Sequence, residues 1–153
     1  KTVVGVVYDP IRRHRFMAYR GGGAKFNGRP IQCSGVSEIE RCVFGVDWPS
    51  DPGLREEMWL IVGNLLAHGR TLRALGSAAM NMVYVAAGWL DFYVGMDLKP
   101  WDHAAPGLIV QEAGGALETL SGTPVTPFIP DPLLAATPEL IQIFRELRRS
   151  KRP

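Results

Sequence analysis

Asp102 lies in the segment of this chain whose residue types are best suited to catalysis. It follows Pro100 and Trp101, and small and apolar residues recur behind it at helical spacing until the glycine pair at 114–115. The pattern predicts a helix whose free backbone N–H groups are capped by Asp102, with Trp101 anchoring the preceding turn. A carboxylate at a helix start can also bind a metal ion that carries a phosphate group. On spacing alone capping is the commoner explanation, because most Asp residues at helix starts are caps and nothing else.

A second segment, residues 73–81, joins a glycine to a small hydroxyl residue before another apolar helical pattern. Gly76, Ser77 and Ala78 have no bulky side chains, and we expect a helix to begin at this point. Backbone N–H groups at a helix start favour an anion, and small side chains let a substrate approach the main chain. Close packing between helices is the alternative explanation of the small residues.

In this order the two segments resemble the inositol monophosphatase family of magnesium-dependent, lithium-sensitive phosphomonoesterases. The C-terminal signature of that family is Trp-Asp, small residues and then Glu-Ala-Gly-Gly, which residues 101–115 match. Residues 4–10 and 20–30 resemble the hairpin region of the family, so the likeness covers nearly the whole chain. It implies the C-terminal part of an αβαβα layered sandwich, whose first helical layer and part of whose larger sheet lie outside this chain.

The resemblance also implies roles for individual residues. Asp102 would be a catalytic residue that ligates Mg²⁺ and lies near the substrate hydroxyls. Three further residues would line the substrate, namely Gly76, Ser77 and Ala78. The implied reaction is hydrolysis of a small polyol or sugar phosphate, such as inositol 1-phosphate, by metal-activated water. A homodimer is the implied assembly, because relatives commonly form pairs.

The chain lacks most of the family's metal ligands. Family members bind their metals mainly through a Glu and an Asp-Pro-hydrophobic-Asp-Gly-Thr/Ser motif before the hairpin, and neither is present. Asp9 and Pro10 do not replace that motif, because Arg12 and Arg13 occupy the places of its second Asp and its Gly, and arginine cannot ligate magnesium. We interpret Asp9-Pro10 as a turn between two strands. Because the sequence begins with Lys1 rather than Met, we expect a C-terminal portion of a longer protein, inactive by itself.

The substrate stays open at the level of sequence. Many inositol monophosphatases hold ring hydroxyls with a Glu shortly before the Trp-Asp pair, but residues 93–96 contain no carboxylate. Asp97 either substitutes for that Glu or is a turn residue. His103 is a further candidate, although a helical neighbour of Asp102 is expected to point elsewhere. Histidinol phosphate, fructose 1,6-bisphosphate and adenosine 3′,5′-bisphosphate are alternative substrates, and a catalytically silent binding or dimerisation module is the rival hypothesis.

Composition is that of an ordinary globular domain of 153 residues, with 46% hydrophobic residues and a formal net charge of +2. This charge is too small to indicate a nucleic-acid partner, and we interpret the basic residues at 145–152 as a solvated helix tail. No apolar run approaches the ~20 residues that cross a bilayer, so we predict no membrane partner and a cytoplasmic protein. Cys33 and Cys42 lack metal-ligand spacing and are predicted to be reduced, structural thiols.

Strand and helix patterns alternate along the chain, which predicts an α/β fold in a single domain, residues 1–153. Residues 123–132 are rich in proline and are predicted to be a loop. Trp48, Trp59 and Trp89 are predicted to be core or interface anchors. The predicted strands are residues 2–8, 15–20, 42–46, 71–75, 90–93, 116–120 and 133–136. The predicted helices are residues 52–67, 138–148 and those beginning at Ser77 and Asp102.

Overall fold

The computed structural model describes residues 2–126 and 131–150. Within these residues the predicted alternation is confirmed, with shifts of a few residues at the ends of elements. The strands are β1 (Val4–Asp9), β2 (His14–Tyr19), β3 (Ala24–Phe26), β4 (Arg29–Ile31), β5 (Val43–Val46), β6 (Thr71–Ala74), β7 (Phe92–Gly95), β8 (Ala116–Thr119) and β9 (Leu133–Ala136). The helices are α1 (Arg55–His68), α2 (Ala78–Ala86), α3 (Pro100–Glu112) and α4 (Pro138–Ser150).

The first sheet is an antiparallel meander in the order β1-β2-β3-β4. Asp9 confirms the predicted turn between β1 and β2, because its Oδ1 accepts hydrogen bonds from the backbone N–H groups of Ile11 and Arg12, at 2.9 and 3.1 Å. The turn between β3 and β4 has positive φ at both Asn27 (46°) and Gly28 (86°). Tight hairpin turns need that conformation, and Asn-Gly adopts it at little cost.

The second sheet has the order β6-β5-β7-β9-β8. The neighbours β6, β5 and β7 run parallel, whereas β9 is antiparallel to both β7 and β8. Parallel neighbours need crossover connections, and α1 joins β5 to β6 while α2 joins β6 to β7. The three parallel strands therefore end at the same edge of the sheet.

Four layers build the described structure. Helices α2 and α3 lie between the two sheets, and α1 and α4 cover the far side of the second sheet. One core, around Phe16, Met82 and Ile109, fills the space between the sheets. A second core, around Phe44 and Phe144, lies beneath the outer helices. This arrangement confirms the predicted α/β layered fold.

The outer face of the first sheet lies open and is apolar. Val4, Val6, Tyr8 and Tyr19 are each more than half exposed there, and Val4 pairs with Tyr19 across the strands. A patch of this kind is typical of a surface that packs against another layer. It fits the expectation of a further helical layer outside this chain. That expectation and the assignment of residues 1–153 to one domain stay predictions.

The tryptophans are more exposed than a core position allows, which is one of the two alternatives predicted for them. Trp48, Trp59 and Trp89 are 48%, 67% and 45% exposed, so they do not belong to the core. Trp101 is 77% exposed and does not anchor its turn. Trp48 and Trp59 form an edge-to-face pair with ring centroids 6.1 Å apart, and Trp89 contacts the buried ring of Phe16 at 5.7 Å. A role as interface anchors stays a prediction.

The cysteine prediction is confirmed, whereas the solvated tail is only partly so. Cys33 and Cys42 are free thiols, and burial raises their pKa values to about 11 and about 12, respectively. Arg145 does not belong to a solvated tail, because its guanidinium binds the Glu118 carboxylate and the carbonyl oxygen atoms of Thr119 and Leu120. The last residues of the predicted tail, 151 and 152, lie outside the described residues, as do residues 127–130 of the predicted loop.

Within the described part of the chain, no helix has both the length and the apolar character needed to cross a membrane.

Gly5 lets β1 approach α3 closely. A Cβ atom at Gly5 would lie 2.6 Å from the carbonyl oxygen of Ala105, a backbone atom that cannot swing aside. We expect Gly5→Ala to lower the free energy of unfolding by about 1–3 kcal/mol, as overpacking does. Gly63→Ala in α1 is the control variant, because a Cβ at this position meets nothing within 4 Å. Ala is more favourable than Gly in a helix by about 1 kcal/mol, so this variant should not lose stability. Urea unfolding measures both, and equal effects would contradict the close approach.

Glu112 ties the first sheet to α3. Its carboxylate accepts hydrogen bonds from the backbone N–H groups of Gly21 (2.9 Å) and Gly23 (3.0 Å), and these bonds lower the pKa of Glu112 below its usual value of 4.5. A depressed folded-state pKa stabilises the fold above pH 4.5, and the contribution is lost as the pH falls through the lowered value. We expect hydrogen-exchange protection of the Gly21 and Gly23 amides to fall between pH 6 and pH 3. Glu112→Gln is the control, because it has no carboxylate to protonate. In this variant the protection of the Gly21 and Gly23 amides should not fall between pH 6 and pH 3.

Candidate active site

Polar and small residues follow the ends of the three parallel strands. Asp47 follows β5, Gly76 and Ser77 follow β6, and Asp97 follows β7. Since the carboxyl ends of neighbouring parallel strands share one edge of the sheet, these residues converge in space. Ligands of open α/β sheets bind at such an edge.

A cavity of about 370 Å³ lies at this edge. Gly76, Ser77, Ala78 and Asp102 all line it, so the structure brings together the four residues to which the family resemblance gave a role. The start of α2 lines the cavity through Ser77 and Ala78, and the first turn of α3 lines it through Asp102. Two helix N-termini make the region favourable for an anion, because each carries partial positive charge and free N–H groups.

Ser77 opens α2 as its N-cap residue. Its backbone is extended, and its hydroxyl oxygen accepts a hydrogen bond from the Met80 backbone N–H at 3.3 Å. Gly76 precedes it with a φ of 71°, in the left-handed region that favours glycine, and nothing lies within 4 Å of the position of its absent Cβ. The local sequence therefore turns the chain sharply and leaves open space beside the helix start.

Asp102 does not cap α3 in the predicted manner. The helix begins at Pro100 after Lys99, and Asp102 is its third residue. The carboxylate Oδ2 reaches back to accept a hydrogen bond from the Lys99 backbone N–H at 2.8 Å. This bond fixes the carboxylate within the first helical turn and does not use Oδ1.

Asp47 is a carboxylate of the cavity that sequence reasoning missed. Its Oδ2 accepts a hydrogen bond from the Tyr93 hydroxyl (2.9 Å) and its Oδ1 accepts one from Asn81 Nδ2 (3.2 Å). Burial is the main cause that raises the pKa of Asp47, and the nearby Asp102 carboxylate adds to it, while the hydrogen bonds oppose it. An Asp directly after a strand-like run was the available signal. Its meaning depends on the parallel strand order, which the sequence did not provide.

Asp97 and His103 are the two residues that the sequence left open. Asp97 lines the cavity, with a positive φ of 55° at a bend and an ion pair to Lys99 Nζ at 2.6 Å. This geometry supports its interpretation as a turn residue. His103 is buried and lines a different cavity, beside Arg20 and Gln111.

The metal prediction has partial support from the donor set. Asp102 supplies a hard carboxylate oxygen of the kind that Mg²⁺ prefers. Within residues 2–126 and 131–150, no group of three or more His, Cys, Asp or Glu side chains is arranged to hold a metal ion. The described residues thus fit one ligand of a magnesium site and do not form a complete site.

Comparison with known proteins defines the class to which this fold and cavity belong. The model of the inositol monophosphatase family matches residues 1–151. The chain therefore belongs to the inositol monophosphatase family, as its motifs predicted.

Particular relatives are similar over most of the chain. Nus factor SuhB of Haemophilus influenzae is 41% identical over 116 residues, which are 75% of this chain and 43% of the relative. The extragenic suppressor protein SuhB of Bartonella henselae has a crystal structure that superposes with a TM-score of 0.91 at 32% identity, covering 99% of this chain and 58% of that chain.

A third similar structure is inositol monophosphatase II of Staphylococcus aureus MSSA476, with a TM-score of 0.83 at 31% identity over 95% of this chain and 54% of that chain. SaIMPase-II has been solved with inositol monophosphate bound and with 2′AMP bound. The chain spans about half the length of the curated relatives it matches.

Ser77 allows a test of how α2 is positioned at the cavity. Ser77→Ala removes the acceptor for the Met80 N–H group, so we expect it to lower the free energy of unfolding by about 1 kcal/mol. Ser77→Thr keeps the hydroxyl and is the control, with an expected loss of less than half that size. Chemical denaturation of both variants is the measurement. Equal losses would contradict the capping role.

Proposed function

We propose that the full-length protein is a magnesium-dependent phosphomonoesterase that hydrolyses a small polyol or sugar phosphate such as inositol 1-phosphate. The observation that carries the proposal is the convergence of Asp102 and the N-termini of α2 and α3 on one cavity at the carboxyl ends of parallel strands. Membership of the inositol monophosphatase family supports the reaction class. The binding of inositol monophosphate by SaIMPase-II supports the substrate class.

The residues of this chain would contribute binding and orientation. The N-termini of α2 and α3 would stabilise the negative charge of the phosphate, with Gly76, Ser77 and Ala78 giving access to the main chain. Asp102 would hold a magnesium ion through its carboxylate. When bound, that ion supplies charge neutralisation and lowers the pKa of a coordinated water. One carboxylate ligand is too few for a stable site, so we propose that residues 1–153 alone are inactive.

The setting of the reaction is part of the same proposal. We infer a cytoplasmic homodimer that is inhibited by lithium, as the family resemblance implies. Histidinol phosphate, fructose 1,6-bisphosphate and adenosine 3′,5′-bisphosphate stay alternative substrates, and the 2′AMP complex of SaIMPase-II adds a nucleotide monophosphate to this group. Competition among these compounds for one active site would rank them.

A second candidate is a binding role that does not require hydrolysis. The relatives with 37–41% identity carry the name Nus factor SuhB, which is not the name of an enzyme. The expected absence of a nucleic-acid partner therefore stays a prediction. Asp102→Asn separates the two candidates in a cell that depends on this gene. Growth restored by a variant without hydrolysis would favour the binding role.

Asp102→Asn is the direct test of the enzymatic role. Asn keeps the shape and can still accept the Lys99 N–H bond, but it removes the anionic metal ligand. We expect magnesium-dependent phosphate release from inositol 1-phosphate by the full-length protein to fall by about 100-fold or more.

Glu40→Gln is the matched control, since Glu40 is exposed and lies outside the cavity. Its turnover should equal that of the natural protein. Unchanged turnover in Asp102→Asn would exclude Asp102 from catalysis.

A further inference from the structure

The hydrogen bonds that Asp47 accepts within the protein do not require a carboxylate. The groups that donate hydrogen bonds to its carboxylate are neutral, namely the Tyr93 hydroxyl, the Asn81 amide and the Gly76 backbone N–H. Within the described part of the chain, no Lys or Arg forms an ion pair with it. A neutral amide oxygen could accept the same bonds without the cost of burying a charge.

The position of this carboxylate is fixed from two sides. Asn81 lies in α2, is fully buried, and also donates from Nδ2 to the Ser77 carbonyl oxygen at 3.2 Å. Tyr93 lies in β7 and is fully buried as well. Because both donors are rigid, Asp47 is held at a defined place beside the start of α2. Such preorganisation is typical of groups that recognise a ligand.

The surroundings of Asp47 fit a ligand with hydroxyl groups. A carboxylate has about four acceptor positions, so capacity remains beyond the three neutral donors. Trp48 lines the same cavity and is about half exposed, which places an apolar surface next to the acidic group. Binding sites for small molecules combine apolar surface with a few fixed polar groups in this way. A polyol ring offers both a C–H face and O–H donors.

We propose that Asp47 is the residue that selects the leaving group of the substrate, by accepting hydrogen bonds from its hydroxyl groups. The proposal rests on the proposed phosphatase function and adds the recognition of the alcohol to that of the phosphate. Asp47 would thus supply the carboxylate that residues 93–96 lack, from a strand far from them in sequence but next to them in the sheet. It is a specificity residue and takes no part in the chemical step.

The test compares two substrates in the natural full-length protein with Mg²⁺. Inositol 1-phosphate has a polyhydroxylated leaving group, and p-nitrophenyl phosphate has none of these hydroxyls. For Asp47→Asn we expect KM for inositol 1-phosphate to rise about 10-fold or more, with kcat changed less than about threefold. Both constants for p-nitrophenyl phosphate should stay within about threefold of the natural values.

Other outcomes would overturn the proposal. Equal losses on both substrates would show a structural or catalytic role. A rise in KM for inositol 1-phosphate alone in Asp97→Asn, without one in Asp47→Asn, would assign the selection to Asp97. Glu40→Gln is the control for loss of an acidic charge outside the cavity.

Two further measurements distinguish a failure of this proposal from a failure of the phosphatase proposal on which it rests. Should Asp47→Asn fail to fold, Tyr93→Phe removes the donor to Oδ2 and keeps the carboxylate, and a rise in KM confined to inositol 1-phosphate is again expected. Should the natural protein release no phosphate from either compound, the phosphatase proposal fails by itself. Calorimetry then tests Asp47. In Asp47→Asn we expect the Kd for inositol 1-phosphate to rise about 10-fold and the Kd for inorganic phosphate to stay unchanged. Equal Kd values for inositol 1-phosphate in the variant and the natural protein would overturn the role of Asp47.

Discussion

The parallel pairing of β6, β5 and β7 is the constraint on which the rest of this structure depends. It requires crossovers through α1 and α2, and it aligns the carboxyl ends of three strands at one edge of the sheet. Residues separated by tens of positions in sequence, such as Asp47 and Ser77, become neighbours there. The small side chains after β6 keep the same edge open, so the cavity follows from the topology and from local sequence together.

Opposite charges meet at this edge. Asp47, Asp97 and Asp102 bring negative charge to the cavity, while the N-termini of α2 and α3 bring partial positive charge. Among the described residues, Lys99 forms an ion pair with Asp97. A region with both characters suits a phosphate together with a cation, because neither ligand by itself would satisfy all of these groups. The electrostatics of the fold therefore agree with the reaction class of the inositol monophosphatase family.

Close backbone contacts and side-chain clamps hold the layers that support the cavity. The approach of Gly5 to Ala105 brings β1 onto α3, and Glu112 binds the glycine loop after β2 from the other end of that helix. On the second sheet, Arg145 of α4 binds the carboxylate and carbonyl oxygens around β8. These contacts join helices to sheets at points distant in sequence, which keeps α3, and with it Asp102, in register with the strands.

The sequence by itself determined the elements, because periodicity, capping residues and glycine turns act over a few neighbouring positions. The order of its two motifs carried the resemblance to the family. Asp102 and Ser77 could be singled out because they lie within those motifs. Only the tertiary structure decided that Asp47 joins them, that the tryptophans lie at the surface, and that His103 faces another cavity. Strand order and burial depend on contacts between segments that are distant in sequence. The residues next to Asp47 therefore do not reveal that it lines the cavity, and those next to Trp101 do not reveal that it is exposed.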